Sequence, residues 1–334
     1  MIVRVLGTGS WGTALAQVLA DNGCDVMQWG IDPQEVDDIN HHCNKKYFDC
    51  EINENLKAST DLSVVKDADV LLCAVPVIAL EDVLKKAREY LSKPAIIINV
   101  AKGFHPVTHQ RLSVVIHEMV DPSFCRAVVS LIGPSHAEEV ILRKLTVVNA
   151  VSEDEEAAKT IQKLFSNRYF RVYRNTDVIG AEIGVAVKNI MAIASGILEG
   201  VGQGDNAKAA LMTRGLAEMT RFGISQGGKE ETYLGLDGVG DLIVTCTSRH
   251  SRNFMAGYQI GKDGSAERFL KENKKTVEGV LSCKVVYEEA KKQGIEMPIT
   301  NEVYQVLYEG KKPEEAIMSL MARELKSEGM DAYQ

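Results

Sequence analysis

Paired cysteines, surplus positive charge and a long unbroken apolar run are what this sequence lacks, and each absence removes a class of function. Its 7 cysteines are an odd number and none forms a Cys-x-x-Cys pair, so free core thiols are expected in place of a disulfide framework. His41-His42-Cys43 and Cys50 bring metal-binding residue types together, but neighbouring side chains diverge and tetrahedral ligand spacing is missing, so no metal site is expected. Asp and Glu (46) outnumber Lys and Arg (38), for a net charge of -8. That balance argues against nucleic acid as the main partner, whose phosphate backbone is bound by concentrated Lys and Arg. It leaves room for a small phosphorylated ligand held by a few local cations. The apolar run Val70 to Leu80 is interrupted by Pro76 and is too short to cross a bilayer, so no membrane span is expected. Met1 to Gly7 lacks the pattern of a signal peptide, which points to the cytosol. A Gly-x-Ser-x-Gly elbow is also missing, so Ser135-His136 does not read as a serine hydrolase.

What is present divides into two halves. A chain of 334 residues exceeds the size at which a single core usually stops growing. Up to about residue 174, short β-branched runs alternate with segments of helical spacing. Ile2 to Leu6, Val26 to Trp29, Val70 to Val75, Ala95 to Val100, Ala127 to Ile132 and Thr146 to Val148 are predicted strands, and Ile78 to Leu91 and Glu153 to Phe165 predicted helices. Such alternation implies parallel strands joined by crossover helices, hence an α/β domain over 1–174. From residue 175 to 334 the pattern is helical, with Glu182 to Leu198, Ala207 to Phe222, Thr276 to Gln293 and Thr300 to Tyr308 in register with a helix period. Pro313-Glu314-Glu315 opens a last helix, with proline at its first position and acids in its first turn. The expected architecture is a Rossmann-type parallel-sheet domain followed by an all-α domain, with the active site in the cleft between them.

Gly7-Thr8-Gly9-Ser10-Trp11-Gly12 follows a predicted strand and opens a predicted helix from Thr13 to Asn22, the context that gives a glycine pattern meaning. Gly7 permits the tight turn, Gly9 lets the backbone approach a pyrophosphate and Gly12 allows close strand-helix packing. Asp32 stands twenty positions after Gly12, where a carboxylate accepts hydrogen bonds from an adenosine ribose and repels a 2′-phosphate. The same Asp32 precedes Pro33 and serves equally well as the cap of a helix from Gln34 to Asn40.

Ten runs, spread in order along the chain, resemble the bacterial NAD(P)-dependent sn-glycerol-3-phosphate dehydrogenases. They are residues 9–16 (GSWGTALA), Lys102-Gly103, Gly133-Pro134-Ser135, Ala186-Val187-Lys188-Asn189, residues 213–219 (TRGLAEM), Gly238-Val239-Gly240-Asp241-Leu242, Thr245-Cys246-Thr247, Ser251-Arg252-Asn253, Val277-Glu278-Gly279 and Met297-Pro298-Ile299. The resemblance implies reversible hydride transfer between a nicotinamide and dihydroxyacetone phosphate, giving sn-glycerol 3-phosphate for phospholipid synthesis, in a homodimer. It implies Lys188 as acid/base at the C2 oxygen, with Lys102 and Asp241 completing the catalytic set. On the substrate side it implies Lys102, Gly133, Ser135, Lys188, Asp241, Ser251, Arg252 and Asn253. At the cofactor it implies Gly7, Gly9, Ser10, Trp11, Gly12, Ile31, Asp32, Lys102, Ala137, Arg252, Thr276 and Glu278.

The residues support these roles on chemical grounds. Reducing a ketone builds negative charge on oxygen, and a lysine desolvated beside it can titrate near working pH. Gly184 and Ala192, one turn either side of Lys188, make that helix face small enough for cofactor or backbone to approach. Asp241 is a natural counter-charge, although aspartate is also a preferred helix cap. Ser251-Arg252-Asn253 offers a hydroxyl, a guanidinium and an amide to phosphate oxygens. Some positions depart from the family pattern: Ala101 where threonine is common, Ile31 where arginine or histidine is common, and Gln203-Gly204-Asp205 in a usually more apolar glycine run. Ile31 makes 2′-phosphate recognition doubtful and, with Asp32, favours NAD over NADP. A dehydrogenase for a 3-hydroxy acid or a sugar phosphate would share the nucleotide half and a lysine on the long helix but has no need of the 251–253 set, and a non-catalytic NADH sensor would have no use for Lys188 beside Asp241.

Overall fold

The computed structural model describes residues 1–120, 123–273, 276–325 and 327–328. The chain forms two compact units, one of residues 1–101 and 105–178, the other of 102–104 and 179 onward.

In the first unit, among the described residues, eight strands make one sheet: β1 (Ile2–Leu6), β2 (Asp25–Trp29), β3 (Lys57–Ser59), β4 (Val70–Cys73), β5 (Ala95–Asn99), β6 (Cys125–Ile132), β7 (Thr146–Val151) and β8 (Phe170–Asn175). Their order is β3-β2-β1-β4-β5-β6-β7-β8. The first six follow the order of dinucleotide-binding sheets and pair in parallel, with β1 between β2 and β4 at the point where chain direction across the sheet reverses. Helices α1 (Ser10–Asp21), α2 (Pro33–Asn40), α3 (Val77–Arg88), α4 (Leu112–Met119), α5 (Ala137–Val140) and α6 (Glu155–Phe165) lie along the same stretch. β4 and β5 are wholly buried, which is why both read as continuous β-branched and aliphatic runs.

Two details depart from the sequence reading. β7 runs antiparallel to β6, because the connection between them carries only the single turn α5 in place of a crossover helix long enough to return the chain. β3 and β8 also give little sequence signal. β3 has three residues, and β8 buries only Phe170 and Val172 while Arg171, Tyr173 and Arg174 face outward.

The second unit is helical: α7 (Val178–Val201), α8 (Asp205–Ser225), α9 (Glu230–Tyr233), α10 (Asp241–Thr247), α11 (Arg252–Asp263), α12 (Glu267–Glu272), α13 (Glu278–Gln293), α14 (Pro298–Tyr308) and α15 (Pro313–Met321). A π-turn, Leu236–Gly240, leads directly into α10. α7 is long and apolar enough to cross a membrane, a property the Val70 to Leu80 run concealed; it is instead the buried axis of this unit. Glycines let neighbours touch that axis. A Cβ on Gly196 would lie 2.0 Å from the Phe254 carbonyl oxygen, and one on Gly257 2.0 Å from that of Ile193, so α7 and α11 cross backbone to backbone.

Glu218 of α8 anchors α14. Its carboxylate is 3% exposed and accepts the Ile299 and Thr300 amides and the Thr300 hydroxyl, satisfying donors at the start of that helix. This joins two of the runs noted above, 213–219 and 297–299. Glu218→Ala is expected to cost about 2–4 kcal/mol in urea unfolding, since it leaves buried amides unpaired.

Candidate active site

The glycine-rich turn lies between β1 and α1. Gly7 has φ +122°, and a Cβ there would sit 2.5 Å from the Ala74 carbonyl oxygen at the end of β4. A Cβ on Gly12 would sit 2.6 Å from the Gly7 oxygen, so these two glycines are required by close packing. Gly9 differs, because a Cβ there would meet nothing within 4 Å. Gly9 is the N-cap of α1 and supplies no capping side chain, so the first amides of Ser10, Trp11 and Gly12 are presented over open space. A bare helix start with an open face, placed where the strand order reverses, fits a dinucleotide pyrophosphate.

Asp32 follows β2 and does cap α2, accepting the Gln34 amide at 3.0 Å through Oδ1. That bond, ahead of its contact with Lys46, holds its carboxyl below the ordinary aspartate value. The cap engages one oxygen and leaves the side chain 39% exposed, so a ribose-binding role is compatible with it. Ile31 is 83% exposed. Gly133, Ser135 and Ala137 follow β6 in the same unit. Gly133 has φ +142°, the Ser135 hydroxyl donates to its carbonyl at 3.0 Å, and Ala137 begins α5.

In the second unit Lys188 is 1% exposed, in the middle of α7. Its ammonium lies 2.6 Å from Asp241 Oδ1 and donates to Thr245 Oγ1 at 2.9 Å. Asp241 is equally buried, and α10 begins at it without using its side chain as a cap, so the carboxylate serves the lysine. Gly184 is the reason the two meet. A Cβ there would lie 2.9 Å from the Asp237 carbonyl oxygen, so the missing side chain lets the 236–240 turn close on α7 one turn from Lys188. Burial pulls the Lys188 ammonium down to about 8, opposed by the Asp241 charge and assisted by repulsion from Lys102.

Three further runs converge beside this pair. A Cβ on Gly279 would be 2.7 Å from the Asn189 carbonyl oxygen and 2.8 Å from Asn253 Oδ1, and the Gly279 amide donates to that Asn253 oxygen at 2.8 Å. The runs 186–189, 251–253 and 277–279 therefore meet at one glycine. Ser251 caps α11 by accepting the Phe254 amide, and Arg252 projects outward to Glu278 at 2.7 Å. Thus two members of the 251–253 set have structural bonds and the guanidinium is the exposed one. Thr276 is exposed just ahead of α13. Lys102 to Phe104 belongs to this unit: Gly103 (φ +91°) lies against Ser282 and Glu278 of α13, and Phe104 enters the helical core.

The sequence reading assigned no role to Thr245 or Asn189. Thr245 accepts from Lys188 and donates its own hydroxyl hydrogen bond to the Asp241 carbonyl oxygen at 2.6 Å, a contact foreshadowed by its position four residues after Asp241. Asn189 is 2% exposed, and its Nδ2 has no partner among the described residues. An amide next to the lysine, in the mostly apolar stretch of α7, was the available signal.

An open sheet with a glycine-rich turn at its reversal point, followed along the chain by a helical unit built around a buried lysine–carboxylate pair, is the organisation of a nicotinamide-dependent dehydrogenase. Residues 2–158 match the family profile of the NAD-dependent glycerol-3-phosphate dehydrogenase N-terminus, and 177–318 that of its C-terminus. The glycerol-3-phosphate dehydrogenase [NAD(P)+] of Streptococcus mutans is 48% identical over 98% of this chain and 97% of its own, and that of Staphylococcus epidermidis 48% over 98% and 99%. The crystal structure of glycerol-3-phosphate dehydrogenase from Coxiella burnetii superposes with TM-score 0.85 at 36% identity, covering 96% of this chain and 98% of its own. The chain belongs to the NAD-dependent glycerol-3-phosphate dehydrogenase family.

Removing the counter-charge tests the pair. Asp241→Asn is expected to lose about 3–5 kcal/mol at neutral pH, because it strands a buried ammonium. Urea unfolding of the variant against the parent measures this, and an unchanged midpoint would show that the ammonium is compensated elsewhere.

Proposed function

We propose that the chain interconverts dihydroxyacetone phosphate and sn-glycerol 3-phosphate with NAD(H) in preference to NADP(H), supplying glycerol 3-phosphate for phospholipid synthesis. The observation that carries this reading is the coordination of Lys188. An ammonium has three donors. Asp241 and Thr245 take two, which leaves one for a substrate oxygen.

A bound nicotinamide supplies the hydride. Lys188 gives its proton to the C2 oxygen as charge develops there, and takes it back in the oxidative direction. Asp241 holds the ammonium in place, and its Oδ2, buried and without a partner among the described residues, is suited to accept a substrate hydroxyl. Lys102 and Arg252 bring positive charge to the phosphate, with Gly133, Ser135, Ser251 and Asn253 completing the substrate set. Gly7, Gly9, Ser10, Trp11 and Gly12 hold the pyrophosphate, and Ile31 and Asp32 the adenosine. Ala137, Lys102, Arg252, Thr276 and Glu278 make the remaining cofactor contacts. A homodimer in the cytosol completes the reading.

A Lys188 near 8 sets the sign of the pH dependence. Reduction needs the protonated form, so kcat/KM for dihydroxyacetone phosphate should fall as pH rises through about 8, while oxidation of glycerol 3-phosphate should rise over the same range. Lys188→Met should lower kcat about 10²–10⁴-fold with NADH binding retained. Arg252→Ala should raise KM for the ketone about 10–100-fold and weaken NADH binding less, reflecting a lost charged hydrogen bond. Steady-state assays crossing NADH and NADPH with dihydroxyacetone phosphate and glyceraldehyde 3-phosphate check the substrate assignment. Equal use of both triose phosphates, or an Arg252→Ala variant with unaltered KM, would overturn it.

A further inference from the structure

The end of β2 holds a lysine that the sequence motifs do not account for. Lys46 reaches back from the loop after α2, placing its ammonium 3.4 Å from Asp32 Oδ2 and 2.5 Å from Glu35 Oε1. In a fold of this class, the carboxylate after β2 stands at the adenosine ribose, and a cation nearby is what accommodates a 2′-phosphate. Lys46 is thus a basic side chain that the fold brings to that point, where the neighbouring Ile31 carries no charge.

Glu35 decides whether that charge is available. It is 6% exposed in the first turn of α2, where it accepts the Thr8 hydroxyl through Oε2 and, through Oε1, both the Tyr47 hydroxyl at 3.1 Å and Lys46. Lys46, by contrast, has a side chain 56% exposed and two carboxylates to satisfy. One positive charge facing two negative ones leaves the cluster with a net negative charge. A buried carboxylate also gives up its cation only at considerable cost. The Glu35 hydrogen bond, first among the causes, holds the Lys46 ammonium well above the ordinary lysine range. Thr8 sits between Gly7 and Gly9, so the same Glu35 ties the ribose end of the site to the pyrophosphate turn.

We propose that Glu35 is a positioning residue for cofactor choice: by holding Lys46 it withholds the local cation from a 2′-phosphate, and so enforces the discrimination that Asp32 begins. This rests on the reading that the first unit binds a nicotinamide dinucleotide. It also differs from a merely structural role, because it concerns the ratio of two affinities whose ligands differ only by one phosphate.

The test is fluorescence titration of the full chain with NADH and with NADPH, no ketone present. Glu35→Gln keeps an acceptor for Thr8 but releases Lys46, and should improve NADPH affinity relative to NADH about tenfold, the worth of one charge-assisted hydrogen bond. Adding Lys46→Ala to that variant should abolish the gain. A ratio unmoved by Glu35→Gln, or a gain that persists without Lys46, overturns the proposal. Should Glu35→Gln fail to fold, a crystal structure of the parent protein with NADPH decides: an ammonium still on Glu35 supports the proposal, and one on the 2′-phosphate refutes it. Failure of the parent to bind either nucleotide would remove the cofactor reading and this inference with it, a result distinct from binding with an unmoved ratio.

Discussion

The second unit is organised around one electrostatic constraint, a lysine ammonium held out of water by a carboxylate that is equally dry. Two buried charges are tolerated only at close range and with their remaining hydrogen-bonding capacity met. Lys188 meets that condition in part, through Asp241 at 2.6 Å and Thr245 at 2.9 Å, and leaves one ammonium donor and Asp241 Oδ2 open; the surrounding backbone is shaped to permit the pair. Gly184 admits the 236–240 turn to α7, and Gly238 folds that turn on itself, since a Cβ there would fall 2.1 Å from the Tyr233 carbonyl oxygen. The glycines of this region are thus part of the electrostatics. Filling either position would push the carboxylate away from the amine.

The same dryness connects stability to chemistry. A buried ammonium prefers to lose its proton, and its anionic partner prefers that it keep it, so the group settles nearer neutrality than a surface lysine. An acid of that strength suits a reaction that must both donate and recover a proton at one oxygen. Lys102 adds repulsion to the balance, carried by three residues that leave the sheet unit's stretch of chain and pack on α13. In the sheet unit the corresponding constraint is steric. Gly7 and Gly12 are packed too closely for any side chain, while Gly9 is open, so one short motif contains both the closure of the turn and an open helix start.

Much of this was legible from residue patterns because the central strands are fully buried. β4 and β5 must be apolar at every position, whereas β8 buries two side chains and reads as a charged connection. The antiparallel β7 depends on the length of a helix in the preceding connection, a feature that strand composition does not encode. The lysine and its counter-charge could be named from local context, yet their pairing is a tertiary fact, 53 residues apart along the chain. Both roles of Asp32 were readable from its place before Pro33, whereas the bond from Lys188 to Thr245 and the grip of Glu35 on Lys46 depend on which atoms meet across turns, where sequence spacing carries little information.

The central claim is that the third donor of Lys188 belongs to the substrate. A crystal structure of the enzyme with a nicotinamide cofactor and glycerol 3-phosphate tests it most directly. The account requires the Lys188 ammonium within hydrogen-bonding distance of the C2 oxygen, with Asp241 and Thr245 still attached. A ligand whose C2 oxygen is held by other groups, with that ammonium turned away from it, would contradict the account.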